Sequence, residues 1–431
     1  MLSSEHKILS DALESNGTRP VDRVSQARGP KPRLALVWTR NLDREPMAGR
    51  LRVAHAIREA VTPDAELTTV RLPSMVTDPT VGRMTGAILA FLASWMRGQP
   101  LPIQCAIFAS GRDLEALTRS IPNNVETVYL DGIRCYELLR LLRRKRPYQK
   151  IVVDFDDLMS RRMELLLAAG ETLSPGYLTD YLPPLLRRLA ASDLVGRSIV
   201  LYESWSLKAL ERQALRLADS IVLLSSEDAL VLDQVRAATP NARARITTVP
   251  PAVDIAEAKP VTSPYRFVFV GTDALTQNRL TIDYLLDLWR RHRIRAPLAI
   301  FGRQTRKVDL PPNVTAPGYV GSLQEIHDGH SVMVTPSFIR GGIKTKVLEA
   351  FSFGRPVIGN NQTFEAMPID DYPLRINEED DLLSILRDPH KHGELFQIAG
   401  AHGQAYVRSR HAPQVFAARW RHLMGLSGTD D

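Results

Sequence analysis

Residues 340 to 360 read RGGIKTKVLEAFSFGRPVIGN, and the chemistry of that stretch lies in Lys344, Lys346 and Glu349. Two glycines precede the lysines. The apolar residues that follow predict a helix with Val347, Leu348 and Phe351 on a buried stripe. A helix N-terminus already carries about half a unit of positive charge and several unpaired N–H groups. Two lysines there add repulsion unless an anion joins them, and phosphate is the usual anion at such an end. The blander arrangement is a solvated Lys346–Glu349 pair, three residues apart on one helix face. Position favours the anion. SVMVTPS, residues 331 to 337, reads as a strand, so the glycines fall just past its end, where backbone N–H groups can close on a ligand.

A second acidic spelling occurs in VVDFDDLMSRR, residues 152 to 162. Strand alternation puts Asp154 and Asp156 on one side and Asp157 near the strand's C-terminal end. Three readings stay open: a metal pair, an acid facing a substrate, and caps or salt bridges with Arg161 and Arg162. His327 and His330, in a short helix and loop, and His390 and His392, in a polar turn, have no convincing third ligand and read as surface histidines. No Ser-His-Asp or GxSxG arrangement stands out, and no GxGxxG follows a strand, which disfavours a dinucleotide oxidoreductase.

These residues need a scaffold to position them. The chain has 431 residues, too many for one ordinary core, which predicts two domains and tails. Residues 1–31 are polar and are expected to be a flexible tail. PRLALVWTR, AELTTVRLP, IQCAIFAS, ETVYLDG, KIVVDFDD, DSIVLLSS and ARITTVP read as strands separated by helical stretches, which predicts a parallel sheet with crossovers. PAVDIAEAKPVTSPY breaks the pattern as a linker, and a second α/β series starts at YRFVFVG. The expected division is 32–254 for an N-terminal domain, with 411–431 returning to it as a final helix, and 255–410 for a C-terminal one. Ligands of two such sheets belong where the C-terminal ends of their strands face each other.

The formal charge is +7, from 55 basic and 48 acidic residues. That excess suits anionic ligands or a lipid surface and falls short of a nucleic-acid footprint. The two cysteines, Cys105 and Cys135, form neither a zinc spacing nor a disulfide framework, which points to a reducing compartment. The N-terminus does not read as a signal peptide. AILAFLASWM, residues 87 to 96, is too short to span a bilayer and is expected to be a buried helix, with a membrane-surface contact as the alternative. LLRRKRPYQK, residues 141 to 150, is expected to be a solvated helix end, or else a contact for anionic lipid or a lipid-diphosphate acceptor.

HSVMVTPSFIRGGIKTKVLEAFSFGRPVIG resembles the donor-binding segment of the GT-B glycosyltransferases, especially glycosyltransferase family 4. ADSIVLLSSEDALVL, ITTVPPAVD and FVFVGTDALTQNR are similar to other segments of that family, over about residues 216 to 365 in all. The resemblance implies an α/β fold of GT-B type, with two Rossmann-like parallel-sheet domains facing across a cleft. It also implies transfer of a sugar from a nucleotide-diphosphate donor with retention, without a bound metal or other cofactor.

By position, Glu349 matches the glutamate that holds the ribose hydroxyls. Gly342, Lys344, Thr345 and Lys346 match the loop and helix start around the diphosphate and sugar, and Arg279 stands in for a diphosphate-binding lysine. Lys344, Lys346 and Arg279 are thereby the expected catalytic cations. Gly271 and Gly302, which close YRFVFVG and PLAIFG, join the donor side, and Gly49 and Arg50 are expected to face the donor from the other domain. Asp156 and Asp157 are the acceptor-side candidates. The family's first motif glutamate is here Gly341.

The expected function is a cytoplasmic transferase, peripheral at the inner membrane surface, acting on a UDP- or GDP-sugar and a glycan or lipid-linked acceptor in surface polysaccharide assembly. No nucleic-acid partner is expected. Two alternatives accompany it: an inactive binding or partner protein, for which Gly341 is the best argument, and a nucleotide-sugar epimerase or hydrolase on the same fold.

Overall fold

A computed structural model describes residues 30–43, 50–168, 193–257 and 259–426. The first sheet takes β1 (Arg33–Trp38), β2 (Glu66–Arg71), β3 (Thr127–Asp131), β4 (Lys150–Asp156), β5 (Ser220–Leu223) and β6 (Arg245–Thr248) in the order β2-β1-β3-β4-β5-β6. All its neighbours are parallel. The second takes β7 (Arg266–Val270), β8 (Leu298–Phe301), β9 (Val314–Gly318), β10 (Ser331–Val334) and β11 (Val357–Ile358) in the order β11-β10-β7-β8-β9, again all parallel.

The central strands are near-continuous apolar runs because helices cover both faces of a parallel sheet. Leu34, Leu36 and Trp38 of β1 face one side, where they pack with Ala54, Ile57 and Val61 of the helix Arg50–Val61. Ala35 and Val37 face the other side and a separate core. Each fully buried Leu, Val or Phe contributes about 1.5–3 kcal/mol. The final helix, Pro413–Met424, completes the first of these cores with Phe416, Trp420, Leu423 and Met424. Trp420 meets the Tyr129 ring edge-on at 5.7 Å, and Arg421 pairs with Asp64 at 2.9 Å.

The chain therefore crosses between the sheets twice, once after β6 and once near residue 411. The two crossings lie side by side. The Val253 N–H donates to the carbonyl of His411 at 2.9 Å, and His411 Nδ1 lies 2.8 Å from the Pro251 carbonyl oxygen. Buried Arg355 anchors the first crossing to the second sheet through the carbonyls of Lys259 and Asp328.

Several expectations change. IQCAIFAS is not a strand: Ile103–Ala106 is a short helix entered through Pro102. The helix Val81–Met96 is not buried, since only Ala87 and Ser94 are fully enclosed. His327 is no surface residue; it lies buried against Phe353, with both ring nitrogens lacking hydrogen-bond partners, and burial pushes its pKa down to about 3. The basic run at 141–150 is partly a structural joint: Arg143 bonds Asp219 at 2.5 Å and the Leu217 carbonyl at 2.7 Å, and Arg146 bonds the Thr118 and Ile121 carbonyls at 2.8 Å. Cys105 and Cys135 are buried free thiols.

Candidate functional site

Each sheet reverses its strand order at one point, and a crevice opens there beyond the strands' C-terminal ends. In the second sheet that point lies between β7 and β10. Beyond β7 stands Gly271, followed by the helix Thr276–Arg291; beyond β10 stand Gly341 and Gly342, followed by the helix Thr345–Ser352. Both loop glycines have left-handed backbones, φ 102° at Gly341 and 69° at Gly342, which favour residues without a Cβ. No side chain caps the first turn of the helix Thr345–Ser352, and that turn holds no acid. Val347, Leu348 and Phe351 are buried as the spacing predicts.

Lys346 turns into the crevice. Its Nζ donates to Asn278 Oδ1 at 2.8 Å and lies 4.1 Å from the centre of the Phe269 ring on β7. Burial and the neighbouring Lys344 push its pKa down to about 7. Lys344 Nζ curls back to the Gly341 carbonyl at 2.6 Å, and burial lowers its pKa too, although Glu365, Asp157 and Glu227 act against it. Two partly desolvated cations at an uncapped helix start form an arrangement that an anion would relieve. Thr345 is exposed beside them.

Gly271 and Gly302 shape the floor. A Cβ on Gly271 would lie 2.6 Å from Asn278 Cγ, and one on Gly302 would lie 2.8 Å from the Gly271 carbonyl oxygen. These glycines let two strand ends and a helix converge. Asp273 ties the loop after β8 to this floor, accepting from the Thr305 N–H at 2.8 Å and the Arg306 N–H at 2.8 Å. Arg279 is half-buried one residue beyond Asn278 and bonds Thr276 at 3.2 Å. Asn278, which sequence reasoning missed, is the residue of that helix that meets Lys346.

Glu349 does not pair with Lys346. It faces the other domain, where Arg52 Nη1 lies 3.2 Å from Glu349 Oε1. Burial raises the Glu349 pKa, against the pull of Arg52. A second junction joins the sheets beside Gly341. Glu365 accepts from the Gly341 N–H at 3.1 Å and from Arg340 at 2.6 Å, and it lies 4.0 Å from Arg161.

The first sheet reverses between β1 and β3, and there the structure gathers Arg40, Arg50, Tyr129, Asp131, Asp154 and Asp156. Arg50 bonds Asp154, lies 3.3 Å from Asp156 and 3.5 Å from Asp131, and donates to the Tyr129 hydroxyl at 3.2 Å. Arg50 is thus enclosed by carboxylates at the sheet edge, while Arg52, two residues on, is the arginine that crosses the cleft. Gly49 lies outside the described residues. Burial raises the pKa of Asp154 and of Asp156; for Asp131, Arg40 and Arg50 overcome burial and hold it below the usual carboxylate range. Asp156 has a left-handed backbone, φ 68°, at a register shift between β4 and β5. Asp157 pairs with Arg162 at 3.0 Å, whereas Arg161 pairs with Glu227 at 2.8 Å and Asp228 at 2.6 Å. Among the described residues, no three His, Cys, Asp or Glu side chains converge as a metal site.

Residues 264–380, which carry Lys344, Lys346 and Glu349, match the family described as Glycosyl transferases group 1. The chain carries a group 1 glycosyl transferase domain. Solved structures share the two-domain fold. Sucrose-phosphate synthase from Thermosynechococcus elongatus is 12% identical with a TM-score of 0.58, over 92% of this chain and 100% of that one. Anabaena HepE, solved with UDP, is 12% identical with a TM-score of 0.56, over 91% of this chain and 99% of that one. The trehalose-6-phosphate phosphatase N-terminal domain of Candida albicans is 11% identical with a TM-score of 0.51, over 94% and 98%. At these identities the likeness is one of fold, and the fold is GT-B. No curated protein matches the chain by sequence. The segment that matches the family supplies one wall of the cleft, and the helix Arg50–Val61, outside that match, supplies the other.

Proposed function

We propose that the protein moves a hexose-like sugar from a UDP- or GDP-sugar to a glycan or lipid-linked acceptor, with retention of configuration, in surface polysaccharide assembly at the inner face of a membrane. The observation that carries this reading is the placement of Lys346 and Glu349 one turn apart at the β7–β10 crevice, inside the segment that matches the family. Lys344, Lys346 and Arg279 neutralise the departing diphosphate, a preorganised electrostatic contribution that grows as the leaving group gains charge. Glu349 holds the ribose hydroxyls. Thr345 and the open backbone at Gly342 border the sugar, and Asp156 and Asp157 face the acceptor from the other domain. No metal is assigned a step.

HepE was solved with UDP and with UDP-glucose, which supports a nucleotide-sugar donor. Thermal melting with UDP, GDP and their sugars tests the reading. A ligand at about 100 times its dissociation constant adds about 2.7 kcal/mol. Stabilisation by one nucleoside diphosphate, but not by its nucleoside, is expected. No stabilisation by any nucleoside diphosphate at millimolar concentration would overturn it.

One observation favours a second reading, donor binding without turnover. Gly341 lies against the other domain, where a Cβ would sit 3.0 Å from Leu165, and φ is 102°. The position is built for glycine rather than for a sugar-holding carboxylate. Tight UDP-sugar binding with neither transfer nor hydrolysis would establish this second reading.

A further inference from the structure

The N-terminal domain exposes a broad apolar face away from the crevice residues. On the helix Val81–Met96, Leu89 is 65% exposed and Met96 84%, with Ile88, Leu92 and Trp95 also about half exposed. The helix Asp193–Leu217 adds Leu194, Leu201 and Trp205. The two helices meet through aromatic rings: Trp95 stacks on Tyr202 with centroids 5.9 Å apart and planes 9° apart, and lies 6.1 Å from Trp205. They therefore present one continuous surface. An apolar hollow of about 320 Å³ opens on it, lined by Leu194, Val195, Ile199 and Tyr202 among others.

We propose that this face docks on the surface of a bilayer containing anionic lipid. Its charge pattern selects that occupant. The helix VGRMTGAILAFLASWM holds no acid. Between Leu194 and Trp205 the one acid is Glu203, and it is turned inward, buried against the Ile103 N–H and Gln104 Nε2. The exposed Arg197 and the part-exposed Arg97 border the apolar residues. Apolar side chains with tryptophan and tyrosine among them, rimmed by arginine and carried in part on a helix without acids, match the interfacial zone of an anionic leaflet. The hollow admits an acyl chain. Among the described residues no helix is long and apolar enough to cross a membrane, so the contact is with its surface.

The helix Val81–Met96 follows β2, and the helix Asp193–Leu217 leads into β5. Docking through them gives residues to the membrane location in the proposed function and rests on that part of it, but lipid binding requires neither donor nor turnover, so the two can fail separately.

The full chain should float with vesicles of phosphatidylcholine plus phosphatidylglycerol, bind phosphatidylcholine alone more weakly, and show blue-shifted tryptophan emission on binding. Leu89→Glu with Leu92→Glu changes only exposed side chains, so melting should be unchanged while vesicle binding falls at least about tenfold. Arg197→Glu should weaken binding to the anionic vesicles by about fivefold and leave phosphatidylcholine binding alone. Wild-type protein that ignores both vesicles, or a double variant that binds as well as wild type, would overturn the proposal. So would a stable dimer in sedimentation that Leu89→Glu with Leu92→Glu dissociates, since the face would then belong to a second copy.

Discussion

Arg52 Nη1 lies 3.2 Å from Glu349 Oε1, joining residues 297 apart in the chain and belonging to opposite walls of the cleft. The carboxylate assigned to the ribose is therefore engaged at one oxygen before any donor arrives, and a nucleotide competes with Arg52 for it. Arg52 is exposed and Glu349 half-buried, and a pair reaching solvent on one side contributes about 1 kcal/mol. Arg52→Ala should leave the melting temperature almost unchanged and strengthen binding of the bare nucleoside. Calorimetric titration with uridine and guanosine checks this, and weaker nucleoside binding would refute the competition.

Replacing the other partner acts in the opposite direction. Glu349→Gln removes a charged acceptor worth about 1.5–3 kcal/mol, so donor affinity or turnover should fall roughly ten- to a hundredfold. The fold should survive because Val347, Leu348 and Phe351 stay buried. Unchanged kinetics with UDP- and GDP-sugars would remove Glu349 from the site.

Lys346 gives a pH signature. Its folded pKa is about 7, below the ordinary 10.5, so between these values the unfolded chain binds more protons. Stability should accordingly rise with pH across that window, and Lys346→Met should flatten the rise. A bound diphosphate favours the charged lysine, so above pH 7 binding should take up a proton and weaken as pH climbs. Titrations in buffers of different ionisation enthalpy measure that uptake. Replacing both Lys344 and Lys346 by Met should cost diphosphate affinity far more than nucleoside affinity, lessen its salt sensitivity, and be neutral or slightly stabilising in the free protein. Equal UDP affinity in wild type and the double variant would sink the phosphate assignment.

Activity should survive EDTA on the proposed reading, in which lysine and arginine neutralise the diphosphate, while Asp154 and Asp156 pair with Arg50. Complete loss, restored by manganese or magnesium, would return those aspartates to a metal role.

Asp154 and Asp156 should also separate by stability. Asp154→Asn removes the buried and closest of the three carboxylates around Arg50, and breaking a buried pair costs up to about 3–5 kcal/mol. Asp156 is part-exposed and lies farther from Arg50, so Asp156→Asn should cost much less. Urea unfolding of both variants decides it.

Most of the scaffold was legible in the sequence because a parallel sheet buried on both faces writes its strands as apolar runs, as LALVW and FVFV show. Direction was not legible. AILAFLASWM is apolar enough for a core, yet its hydrophobicity says nothing about which neighbour covers it, and the structure leaves Leu89 and Leu92 uncovered. IQCAIFAS fitted a strand equally well because so short an apolar run carries no period. At the site, the two lysines and Glu349 stand out from local spacing. Arg52 does not, since Arg50 and Arg52 point to different sides of one helix and only the packing of two domains shows which crosses. Asn278 was hidden by its neighbour Arg279, whose charge made it the more obvious partner for a diphosphate.

The paired crossings at Val253 and His411 bear on how the cleft can move. Two chain segments bonded side by side behave as a double-stranded hinge, with its pin running between them. Such a joint resists sliding and twisting and leaves one easy rotation, in which the walls part like the covers of a book. Arg52 would then withdraw from Glu349 in the same swing that draws Leu165 off Gly341 and Arg161 off Glu365. Entry of a ligand and its release then share the open end of a single angular coordinate.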